Sequence, residues 1–150
     1  MSKIPGQFSQ FNEYEIGKIY KGRLPRGEDL LKSMTELVKE LEIESGHIQV
    51  LGAVRNATIE YFNQNTTEYE YKNINKSMEI LHCNGNISLL EGKPMIHTHI
   101  VLGDENGRAF GGHLSEETEI FVAEVILKEF IGEPKERVID EESGLTLWET

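Results

Sequence analysis

After Gly46 the helical spacing of apolar residues disappears, and the chain becomes a series of short β-type runs separated by turn residues. More than half of the sequence must therefore close its core with sheet. The runs "HIQVLGAV" and "ATIEYF" flank Arg55-Asn56, "NQNT" turns the chain into "EYEYK", and "KSMEILHCNGNISLL" follows. "MIHTHIVL" and "RAFGGHL" then sit on either side of "GDENG", a connection rich in the Gly, Asp and Asn that a hairpin loop needs where φ turns positive. "EIFVAEVILKEF" has the length of a helix, but Ile120, Val122, Val125 and Ile126 are β-branched and Phe121 is aromatic, which assigns it to strand.

Ahead of Gly46, residues 15 to 24 read as a first strand ended by Pro25 and Gly27. The one clear helix follows. In "EDLLKSMTELVKELEIESG", Leu30, Leu31, Met34, Leu37, Val38 and Leu41 recur at three- and four-residue spacings, and Ser45-Gly46 ends the pattern. That stripe is core. The tail "ERVIDEESGLTLWET" is acidic with a late apolar set, Leu145, Leu147 and Trp148, expected to pack back on the body or on a neighbouring subunit.

A chain of 150 residues has the size of one domain, expected over 1–150 with its core at about 16–148 and residues 1–14 loosely ordered. No apolar run is long enough to cross a bilayer and no export signal is visible, so a cytoplasmic protein without membrane contact is expected. Cys83 is the only cysteine, which fits a reducing compartment and excludes an intrachain disulfide. The formal net charge of −11 disfavours DNA, because binding a duplex means replacing phosphate counterions with Lys and Arg. Lys18, Lys21, Arg23 and Arg26 form a small basic segment. Its "GRLPRGED" resembles a minor-groove arginine hook, but Leu24 interrupts the motif and Glu28 and Asp29 follow at once.

Three of the five histidines, His97, His99 and His113, fall within seventeen residues around the Gly-rich turn. On a strand, His97 and His99 point the same way while Ile96, Thr98, Ile100 and Leu102 point the other. Their Cα atoms then lie about 6.6 Å apart, two rises of about 3.3 Å, which two imidazoles can close around one ion. Simple pairing about the loop is expected to set His113 beyond the strand's near end, with a bend at Gly111-Gly112 bringing it back. Three neutral imidazoles with an open fourth position is an arrangement zinc uses. The alternative is a pair of histidines hydrogen-bonded on a half-exposed strand. His47 and His82 lie outside the cluster; His82 is kept as a fourth candidate on the same face.

Cys83 beside His82 is a poor dyad, since adjacent strand residues face opposite sides. Glu124 inside an apolar strand is edge-exposed, paired with a base such as Arg108, or functional. His82, Glu124 and Arg108 are therefore carried as candidates for the pocket or for support of the ligands.

The order of "GEDLLKSMTELVKE", "GHIQVLGAVRNATIEYF", the segment from "EYEYK" through "GGHL", "AEVILKEF" and "ERVIDEESGLTLW" resembles the plants-and-prokaryotes conserved (PPC) domain family, in stand-alone prokaryotic form, from about Tyr20 to Trp148. The resemblance implies an α+β fold with a largely antiparallel β-sheet packed against one main helix, assembly as a homotrimer, and a divalent metal, zinc first, at His97, His99 and His113. It also brings a DNA-binding label that comes from plant members carrying a hook. A cupin barrel shares the His-x-His, but no Pro-x-Gly turn precedes His113 and no glutamate follows His99 at the cupin interval. The expectation is a metal-binding homotrimer with a small ligand, its status as an enzyme left open; the alternative is a DNA-associated or regulatory assembly module with a structural or empty site.

Overall fold

Asp29 starts the helix because its carboxylate accepts the Lys32 N–H at 2.9 Å and, from across the fold, the Thr118 N–H at 3.0 Å. The computed structural model describes residues 4–149. Helix α1 (Leu30–Glu40) buries Leu30, Met34 and Val38 completely, each contributing roughly 1.5–3 kcal/mol of apolar burial. It stops with the apolar stripe, at the capping Leu41, sooner than the Ser45-Gly46 signal predicts. Glu42 takes the left-handed conformation, with φ at 54°, and the Ile43 N–H bonds back to the Val38 carbonyl at 3.1 Å, so the chain has left the helix before Ser45-Gly46.

Among the described residues, ten strands form one sheet. They are β1 (Glu15–Arg23), β2 (Gly46–Val54), β3 (Ala57–Asn63), β4 (Glu68–Ile74), β5 (Met78–Leu90), β6 (Lys93–Gly103), β7 (Ala109–Leu114), β8 (Ile120–Ile131), β9 (Glu136–Ile139) and β10 (Thr146–Trp148). The order is β1-β8-β2-β5-β6-β7-β3-β4, antiparallel throughout, with β9 beside β5 in parallel and β10 beside β9. The stretch from Ile120 is strand, as its β-branched content requires, and the tail packs back on this same chain. The N-terminal segment contributes one short 3-10 turn, Gly6–Phe8. No helix among the described residues is long and apolar enough to cross a membrane.

The period-2 alternation divides the sheet into two surfaces. On one, Ile48, Val50, Ile80, Ile87, Ile100, Leu102 and Leu127 are buried with the α1 stripe, and α1 packs against β6. The other carries polar rows that continue from strand to strand. One runs Lys128, His47, Asn86, His97; the next runs Gln49, Asn84, His99, His113, Glu60, Tyr71. Leu51, Leu81 and Ile126 stand exposed on this outer side.

Candidate metal centre

His97 and His99 share a face by strand alternation alone; His113 joins them by register. The β6–β7 ladder pairs Gly103 with Ala109, Leu102 with Phe110, Val101 with Gly111, Ile100 with Gly112 and His99 with His113, without a bulge. The expected overshoot of His113 and its rescue by a bend are therefore incorrect. The loop spans residues 104–108, held by the Asp104 carboxylate, which accepts the Asn106 and Arg108 N–H groups at 2.9 Å each, and ordinary pairing does the rest. Gly111 and Gly112 serve close approach instead: a Cβ at Gly112 would lie 2.8 Å from the Glu60 carbonyl oxygen, and one at Gly111 2.9 Å from that of Ile100.

The three rings converge. The His97 and His99 Nε2 atoms are 3.2 Å apart, one donating to the other, and one ligand atom from each of His97, His99 and His113 lies within 4.8 Å of the other two. Ring centroids are 5.0 Å apart for His97–His99 and His97–His113 and 5.6 Å for His99–His113. The Tyr69 ring, 5.9 Å from His113 and in edge contact with Phe62, backs the third imidazole. Burial pushes His97 down to about 4, helped by His113, Arg137 and His99. Burial likewise holds His113 below its ordinary value, with Glu60 opposing the shift and His99 and Arg137 adding to it. His97 and His113 are thus neutral at pH 7, the form that ligates metal. An all-imidazole donor set of this spread fits zinc and related divalent ions far better than calcium or magnesium, which take oxygen ligands.

A cavity of about 530 Å³ opens on the rings, lined by Glu60, Phe62, Tyr69, Tyr71, Met95, Arg137 and Leu147 among others. A second, of about 280 Å³, reaches His97 and His99 from the other side and is lined by His47, His82, Asn84 and Asn86. His82 thus borders the site without entering the ligand cluster. His47, set apart in the sequence, also faces this smaller cavity, its Nε2 against the Asn84 Oδ1. Arg108 and Glu124 are not at the site. Arg108 holds the hairpin loop through Asp104, 2.8 Å away, and Glu124 lies three strands from β6, roughly 14 Å at the usual strand spacing. Nor is Glu124 at an edge, since β8 runs between β1 and β2; it stands exposed on the outer face next to Arg23. Cys83 points into the core, where burial pushes its thiol up to about 12. Arg26 is committed to Phe121, donating to its carbonyl at 2.9 Å with the guanidinium 4.5 Å from the ring centroid, and Arg55 pairs with Glu119 at 2.9 Å.

Two residues beside the rings had no signal in their spacing. Tyr69 arrives from β4 through the β3–β4 hairpin, and Arg137 from the tail through the β9–β5 pairing. Arg137 donates to Ser88 Oγ at 2.9 Å, to the Thr146 carbonyl at 3.0 Å and to Asn86 Oδ1 at 2.9 Å, and Asn86 is the cross-strand neighbour of His97.

Residues 11–131 match the Plants and Prokaryotes Conserved (PCC) domain. A metal-containing protein from Archaeoglobus fulgidus is 40% identical, with a TM-score of 0.87 over 92% of this chain and 97% of its own. A plant- and prokaryote-conserved (PPC) protein from Pyrococcus horikoshii is 39% identical, with a TM-score of 0.88 over 93% and 96%. A protein from Bacteroides thetaiotaomicron, described as a candidate DNA-binding protein, is 28% identical, with a TM-score of 0.82 over 92% and 98%. Among curated proteins, the bifunctional protein GlmU of a Synechococcus strain is 27% identical over 112 residues, which is 73% of this chain. The chain spans only 17% of that relative's length.

Proposed function

Because the chain belongs to the plants and prokaryotes conserved domain family, we propose that it is a cytoplasmic, homotrimeric, zinc-binding protein whose His97, His99 and His113 face a pocket for a small ligand. The observation that carries this reading is the convergence of three ligand atoms within 4.8 Å at the floor of a cavity. The metal-containing Archaeoglobus relative supports it. When bound, zinc supplies a Lewis acid. The chain's own residues do the rest: burial keeps His97 and His113 unprotonated, Tyr69 fixes the His113 ring, and Asn86 ties the His97 strand to Arg137. The exposed Leu51, Leu81 and Ile126 on the outer face support assembly, since a second copy would take them out of water.

Elemental analysis of the untagged protein tests the metal. Near-stoichiometric zinc that is lost in both His97→Ala and His113→Ala upholds the reading, and a metal-free wild type ends it. Light scattering tests the assembly against three times the 17.1 kDa chain mass. The second reading, a DNA-associated regulatory module, has the Bacteroides relative in its favour and the net charge of −11 and the engaged Arg26 and Arg55 against it. Salt-sensitive retention on duplex DNA near physiological ionic strength would restore it.

A further inference from the structure

Two buried charged side chains stand out among the described residues, Asp104 and Arg137, and they are treated differently. Asp104 meets Arg108 at 2.8 Å and Lys76 at 3.7 Å. Arg137, only 7% exposed, forms no ion pair with any described carboxylate; its partners are a hydroxyl, an amide oxygen, a backbone carbonyl and the Trp148 ring, 5.2 Å from its guanidinium carbon. A buried cation is costly unless an anion accompanies it. Of the five guanidinium N–H groups three are used by described residues, which leaves one on each terminal nitrogen to donate to an anion.

The cavity bordering Arg137 also holds the metal-site histidines, and its other walls are largely apolar or aromatic: Phe62, Tyr69, Met95, Leu145 and Leu147. At about 530 Å³ it has the size of a small-molecule site. The one acid among its described lining residues, Glu60, stands opposite His113, which disfavours a second negative group there. We propose that this cavity binds a small monocarboxylate with an apolar body, its carboxylate paired with Arg137 beside the histidines. The proposal rests on the small-ligand part of the reading above and does not require the metal.

Calorimetric titration of the full chain with acetate, hexanoate and benzoate, at fixed ionic strength, with zinc and after chelation, tests it. Benzamide serves as the neutral control. At least one carboxylate should bind both forms, with benzamide and the Arg137→Gln variant each weaker by about tenfold or more, as expected for losing a charge-assisted pair. Arg137→Gln also removes three internal hydrogen bonds, so the wild type carries an independent readout: the Arg137 Nε–H resonance must move as carboxylate is added. Binding to the chelated chain that moves the Arg137 signal upholds the proposal even if zinc never binds. No carboxylate binding in either form, an unmoved Arg137 signal, or binding that needs zinc and ignores Arg137→Gln would overturn it.

Discussion

Along β6, Ile96, Thr98, Ile100 and Leu102 are buried against the helix side, while His97, His99 and Val101 on the opposite side remain half buried or exposed. One strand thus serves two surfaces with different rules. The inner side is aliphatic and closely packed, so its energetics are those of volume and cavity. The outer side carries polar rows in which side chains from β2, β5, β6, β7 and β3 are aligned by hydrogen-bond register, so its chemistry depends on pairing. A substitution on the inner side should cost stability; one on the outer side should cost ligands.

The largest effect expected is from Ile100→Ala, which should lower unfolding free energy by about 2–5 kcal/mol, measured by urea denaturation. The contrast between the faces breaks if His99→Ala, on the exposed side, destabilises the metal-free chain as much. Gly112→Ala sharpens it from the other direction. The added methyl meets the Glu60 carbonyl and forces β7 away from β3, so a loss of about 1–3 kcal/mol should be accompanied by weaker zinc binding, because the displaced strand carries His113. Unchanged zinc affinity in that variant would detach the site from the strand spacing.

The third effect depends on pH. His97 falls from an ordinary 6.5 to about 4 in the folded chain, so between those values the unfolded chain binds a proton that the folded chain refuses. Stability of the metal-free protein should therefore be complete above about 6.5 and decline as the pH falls toward 4. Melting temperatures of the wild type and His97→Asn, recorded across this window after chelation, check the sign: the variant should lose less. Smallest of all, Glu124→Gln on the outer face should move stability by less than about 0.5 kcal/mol. A larger change would mean that the Arg23–Glu124 side of the sheet carries more than solvated charge.

Much of the fold was legible because its signals are local. The α1 stripe, the turn residues of "GDENG" and the β-branched run from Ile120 each report a backbone preference within a few residues, and each became the expected element. Where helix α1 ends was less legible, since Glu42 turns the backbone left-handed right after the capping Leu41, ahead of the Ser45-Gly46 signal. For the site, His97 and His99 could be placed on one face by counting, and His113 could be grouped with them by proximity. How His113 arrives could not, because one residue of register at the loop decides whether its side chain shares the face of His97 and His99 or turns to the opposite one. Arg108 and Glu124 misled for a related reason: an unusual charge marks itself in a sequence, but its neighbour across the sheet does not.

Between bulges such as the one at Leu81, the sequence by itself determined which residues of each strand share a side, because successive side chains alternate whatever the strand pairs with. Only the tertiary structure decided which strands lie together. The order β5-β6-β7-β3, with β9 laid against β5, brought His97, His99 and His113 under the same cavity as Tyr69 and Arg137. Those contacts join residues far apart in the chain through backbone hydrogen bonds that any residue but proline can make, so no side-chain pattern announces them.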